Sequence, residues 1–65
     1  MEYTNSQMRA LIGEHIHSER DRGILCRRMI DGLTYERLAD EFQMSPRQVR
    51  EIVHKHEPIL RKKMP

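Results

Sequence analysis

Apolar residues recur at spacings of three and four along almost the whole chain, and no stretch alternates apolar with polar as a half-buried strand would. The pattern predicts an all-α fold, a small four-helix domain with helices over roughly 5–16, 19–30, 35–42 and 46–56. Thr4-Asn5-Ser6-Gln7 has the form of a capping box and precedes Met8, Leu11, Ile12 and Ile16, which share one face of the first helix. Ser18 caps the second, with Glu19 and Asp21 in its first turn and Arg27 and Arg28 near its end, as the helix dipole favours. Ile24, Leu25 and Met29 mark its buried side, and Gly32 supplies the stop because a residue without a Cβ can take the left-handed conformation.

Thr34 caps a third helix of about two turns, in which Tyr35, Leu38, Ala39 and Phe42 follow the i, i+3, i+4, i+7 pattern. Gln43 and Met44 alone separate it from Ser45-Pro46-Arg47-Gln48, the sharpest local signal in the chain. Serine caps, proline takes the first helical position where its missing N–H costs nothing, and Gln48 closes the box. Val49, Ile52 and Val53 face inward. Pro58 is expected to end this fourth helix near His56, since the residue before a proline avoids the α region. That divides the chain into a domain over 1–58 and a short basic tail over 59–65.

A two-turn helix, a very short turn and a strongly capped following helix make up the helix-turn-helix unit used to read DNA. Ala39 allows close approach of the two helices, while Leu38, Phe42, Met44, Val49 and Ile52 set their angle. The fourth helix then presents Arg47, Arg50, Glu51, His54 and Lys55 outward on one face. Arg47, near the helix start, can pair bidentately with guanine O6 and N7, worth roughly 1–3 kcal/mol of base discrimination. Glu51 can accept from cytosine N4 or orient Arg47. Arg50, Lys55 and Lys62 suit phosphates, and the helix N-terminus that follows Ser45 and opens with Pro46 offers free N–H groups to an anion.

Charge sharpens this picture more than its total does. The net charge is only +2, but residues 1–42 carry six arginines against eight carboxylates, a net −2, while residues 43–65 carry six cations against two, a net +4. A polyanion is drawn to the C-terminal third; the blander reading of the same residues is a solvated helix face with a basic tail.

Residues 19–57 resemble region 4 of the bacterial sigma-70 type transcription initiation factors. Glu-Arg-Asp-Arg-Gly-Ile-Leu at 19–25, Asp-Gly-Leu-Thr-Tyr-Glu at 31–36, Leu-Ala at 38–39 and Ser-Pro-Arg-Gln-Val-Arg at 45–50 carry the resemblance. It implies base-reading positions at Pro46, Arg47, Arg50 and Glu51 and backbone contacts from His54 and Lys55. The chain departs from the family in two respects. Gln43 stands where the turn usually has glycine, at a cost on the order of 1 kcal/mol, and nothing corresponds to the region that melts and binds the downstream promoter element. The resemblance therefore implies a free-standing relative or an excised domain, with double-stranded DNA as partner and transcription regulation as role.

The alternative is a protein-interaction adaptor that docks on RNA polymerase or another protein without reading DNA; a homodimer is an open arrangement, and paired half-sites would be its mark on DNA. A plain helical scaffold is a third. Catalysis is not expected, because no nucleophile stands at a meaningful spacing from a base and no glycine-rich phosphate loop occurs. No cofactor is expected. No metal is expected either, since His15 with His17 and His54 with His56 are two apart and point to nearly opposite sides of a helix; His56 is placed partly against the core. Cys26, the single cysteine, has no partner for a disulfide and reads as a half-buried thiol rather than a redox switch. With 65 residues, 37% of them apolar, the chain has room for one small core and needs most of the first helix's stripe to build it, rather than for a dimer surface. Its apolar runs are short and its N-terminus lacks a secretion-signal pattern, so a cytoplasmic protein without a membrane partner is expected.

Overall fold

A computed structural model describes residues 4–63 and contains, in order, α1 (Asn5–His15), α2 (Glu19–Met29), α3 (Tyr35–Phe42) and α4 (Pro46–Lys63). The domain is all-α, as the periodicity predicts. Each start is set by a local cap. Thr4 accepts from the Gln7 N–H and the Gln7 side chain accepts in return from the Thr4 N–H; Ser18 accepts from Asp21 and Thr34 from Arg37. Those hydroxyls satisfy N–H groups that have no partner within the first turn. At the other end of α1, Ile16 leaves the helix for an extended conformation, and its side chain, 2% exposed, still drops into the core. Gly32 takes φ +71, the left-handed conformation expected of the stop before α3.

Every helix contributes to one apolar cluster: Leu11, Ile12 and Ile16, then Ile24 and Leu25, Leu38 and Ala39, and Val49, Val53 and Leu60. Met8, Met29, Tyr35, Phe42, Met44 and Ile52, inward by the sequence pattern, lie half-buried around it. Packing is not symmetrical. Helices α2 and α4 each touch all the others, whereas α1 and α3 do not touch each other. The shared middle layer is therefore α2 with α4, and α3 and α1 lean on it separately. One close approach is visible at Gly23: a Cβ there would sit 3.0 Å from the Phe42 ring of α3, so absence of a side chain lets α2 and α3 meet.

The expected end of the last helix is corrected. Helix α4 does not stop at His56; it runs through Pro58 to Lys63, so residues 59–63 are helix and not tail, while positions 64 and 65 of that tail, like positions 1–3 of the domain, lie outside the described residues. Proline inside a helix costs about 3 kcal/mol through its missing N–H and its clash with the carbonyl four residues back, here that of His54. Beyond it, however, Leu60 continues the face of Val49 and Val53 and is 1% exposed, and full burial of such a side chain returns about 1.5–3 kcal/mol. The contact of His56 with Asp21 of α2 at 3.4 Å holds the same turn, and Arg61, Lys62 and Lys63 lie favourably in the last turn against the helix dipole. Tertiary contacts thus offset the local penalty. None of the described helices is long and apolar enough to cross a membrane.

Candidate nucleic-acid interface

The junction between α3 and α4 is built almost entirely from backbone. Gln43 adopts φ 55, ψ 51, the left-handed conformation, and its N–H bonds the Ala39 carbonyl. The Met44 N–H reaches the same carbonyl at 2.9 Å, the six-to-one bond of a Schellman closure. Glutamine here carries the strain anticipated from its place in the turn. Met44 tucks its side chain against the core. Ser45 then restarts the helix: its Oγ accepts from the Gln48 N–H at 3.2 Å while its own N–H donates to Gln48 Oε1 at 3.1 Å. The capping box predicted there forms in full.

That closure narrows one expectation. Pro46 has no N–H and the Gln48 N–H is taken by Ser45, so only the Arg47 N–H of the first turn of α4 stays outside the cap. A helix start with one donor to offer is a weaker anion site than an uncapped one.

Helix α4 buries Val49, Val53 and Leu60, which turns the opposite side outward. Ser45, Pro46, Arg47, Arg50, Glu51, His54 and Lys55 are all exposed. Arg47, Arg50, Glu51, His54 and Lys55 line one shallow open depression. Arg47 Nε stands 3.6 Å from Glu51 Oε1, with the two side chains 84% and 69% exposed. A pair so exposed contributes little to stability, so these side chains are not committed to holding the fold. Arg50 and Lys55 make no ion pair among the described residues. The surface is cationic, solvated and carried on a helix fixed from beneath.

Two residues join this surface that the sequence pattern places elsewhere or leaves unmarked. Tyr35, the first residue of α3, counts by spacing as core, yet it is half-buried and its hydroxyl lies 3.4 Å from His54 Nε2. The two rings meet edge to face, with centroids 6.3 Å apart. Arg28 of α2 covers the Tyr35 ring at 4.6 Å and donates to the Leu33 carbonyl at 2.8 Å. A tyrosine in an apolar stripe has a polar tip that must reach a partner or water, and that is the signal in the sequence that points to its role. His54 is thereby oriented from α3, at the edge of the depression.

Other polar contacts serve the frame. Arg27 grips Glu41 of α3 with two bonds, at 2.8 and 2.6 Å, and reaches Asp31 at 2.9 Å. Its hydrogen bonds and charge hold the Glu41 carboxyl below the usual carboxylate range, and the Glu41 contact raises the guanidinium in turn. His56 lies half-buried against Asp21, on the core side of α4 and away from the depression. Cys26 is half-buried beside the core, where burial pushes its thiol up and so favours the protonated form. Among the described residues no cluster of histidine, cysteine and carboxylate groups has the makings of a metal site. The chain matches no protein-family model, no curated protein and no solved structure.

Proposed function

We propose that α3, the turn at Gln43 to Ser45 and α4 form a helix-turn-helix, and that the chain binds double-stranded DNA sequence-specifically with α4 in the major groove, in the service of transcription regulation. The observation that supports this reading is the exposure of Arg47, Arg50, Glu51, His54 and Lys55 together on the side of α4 opposite its buried residues. An α-helix fits the major groove, where each base pair presents a distinct set of donors and acceptors.

In this reading Arg47, at the start of the helix, addresses guanine O6 and N7. Glu51 exchanges its contact with Arg47 for cytosine N4 or keeps the guanidinium aimed. Arg50 and Lys55 take phosphates, and His54, oriented by Tyr35, takes another. Ser45 and Pro46 bring the backbone to the groove edge, with the Arg47 N–H as the remaining first-turn donor. The resemblance to sigma factor region 4 supports the same assignment of Arg47 and Glu51 to bases and of His54 and Lys55 to the backbone, and differs in counting Pro46 and Arg50 among the base readers. The function needs no cofactor and no catalytic group, and its setting is the cytoplasm.

Selection from random-sequence duplexes at fixed salt tests the proposal. A recovered motif is expected, and two half-sites about one helical turn apart would identify a homodimer. On the selected duplex Arg47→Ala should relax base preference by roughly 1–3 kcal/mol at one position, while Lys55→Ala should weaken all sequences alike. No enrichment at any salt, alongside capture of RNA polymerase by the same chain, would replace this reading with the adaptor.

A further inference from the structure

The continuation of α4 beyond Pro58 changes what its far end can do. At about 100° per residue, Arg61 lies about 40° to one side of the Arg47 direction and Lys62 about 60° to the other, with Pro58 between them at about 20°. Leu60 and Val53, the buried residues, lie on the opposite side. Both basic side chains are exposed, Arg61 to 66%. Leu60, at 1% exposure, fastens the turn that carries them to the core. Arg61 also reaches Glu57 at 3.5 Å on its own helix. The pair is therefore held at a fixed distance and phase from Arg47, which a tail would not provide.

The distance is informative. Fifteen residues at 1.5 Å separate Arg47 from Lys62 by about 22 Å along the axis, whereas the major groove is about 12 Å wide. Both ends of this face cannot lie in one groove. If the first two turns occupy the groove floor, the last turn projects past its rim, where the duplex presents phosphates at about one charge per 1.7 Å of axis. Between the two basic ends the same face carries Pro58, which has no charge and no side-chain donor with which to read a base.

We infer that Arg61 and Lys62 form a second phosphate-binding element, rigidly spaced from the base-reading turns of α4, that clamps the backbone flanking the groove and adds affinity without sequence preference. This rests on the DNA-binding reading above and extends the partner's footprint beyond the groove. The two arms of the face have different tasks: the N-terminal one discriminates and the C-terminal one anchors.

The test is salt titration of the full chain on its selected duplex and on a scrambled duplex of equal length, for wild type and for Arg61→Gln combined with Lys62→Gln, which removes both charges while keeping long, helix-compatible side chains. The double variant should retain the helical signal and the preference between duplexes, while the slope of log affinity against log salt falls by roughly 2, about 0.9 for each phosphate no longer neutralised. An unchanged slope overturns the clamp and leaves the DNA reading standing. A change of preference between duplexes also overturns it, by placing the pair among the base readers. Wild-type chain that binds neither duplex removes the DNA reading itself, and the clamp with it.

Discussion

Replacing Gln43 with glycine should make this protein more stable, against the general rule that glycine weakens a fold. At φ 55, ψ 51 a residue with a Cβ crowds its own following carbonyl, a strain of about 1–2 kcal/mol that glycine does not feel. Glycine in turn widens the unfolded ensemble, which costs about 0.4–1 kcal/mol. Nothing else changes sides: the Gln43 side chain is exposed, and the two bonds to the Ala39 carbonyl come from backbone N–H groups that glycine also leaves in place. The net expectation is a gain of about 0.5–1 kcal/mol, or several degrees in melting temperature for a domain of this size. Urea denaturation measures it as a higher midpoint at constant slope. Gln43→Val should move the midpoint the other way, because a β-branched side chain is least tolerant of this region. A glycine variant no more stable than wild type would show that Gln43 is not strained and that the turn draws its shape from something other than this one dihedral pair.

The other expectations concern the frame. Pro58→Ala restores an N–H aimed at the His54 carbonyl and should stabilise the fold by about 1–3 kcal/mol, whereas Leu60→Ala should cost about 2–5 kcal/mol; thermal melts that rank the two variants in the opposite order would contradict the account of how α4 passes its proline. Glu41 titrates below its ordinary range when folded, so the stability it supplies is present above the unfolded carboxylate value and disappears as pH falls through the lowered one. Glu41→Gln should accordingly flatten the acid limb of a stability-versus-pH curve, and a limb of undiminished slope would count against the Arg27 contact. Tyr35→Phe should leave the stability within about 1 kcal/mol of wild type and weaken DNA binding, a result that a gel shift compared with a melt resolves; equal loss in both would mean that Tyr35 serves only packing.

Where an interaction spans three or four residues, the chain is legible. Thr4 with Gln7, Ser18 with Asp21, Thr34 with Arg37 and Ser45 with Gln48 each form the bond that their spacing announces. The outward set on α4 follows from periodicity once Val49 and Val53 are taken as inward. What escapes a reading of the sequence depends on contacts between distant residues. Pro58 is a stop signal by every local rule, and it is offset by contacts from elsewhere in the fold, burial of Leu60 in a core gathered from four helices and the meeting of His56 with Asp21. Tyr35 and His54 are separated by 19 residues and His56 and Asp21 by 35, so no window along the chain contains either pair. The start of α4 promises more than it holds for the opposite reason: its cap and its proline are both plain in the sequence, but together they consume the donors that an anion would have used.

The division of the bundle into a middle and two flanks has its own effect on how the chain can change. Because α1 and α3 never meet, neither must be shaped to the other, and alterations to the outer wall of one pass to its counterpart only through α2 or α4. The α3 flank can be retuned while the opposite flank stays as it is, and the N-terminal helix can diverge toward other surroundings without disturbing the turn at Gln43. Residues of the central pair have no such freedom, since each must suit several walls at once.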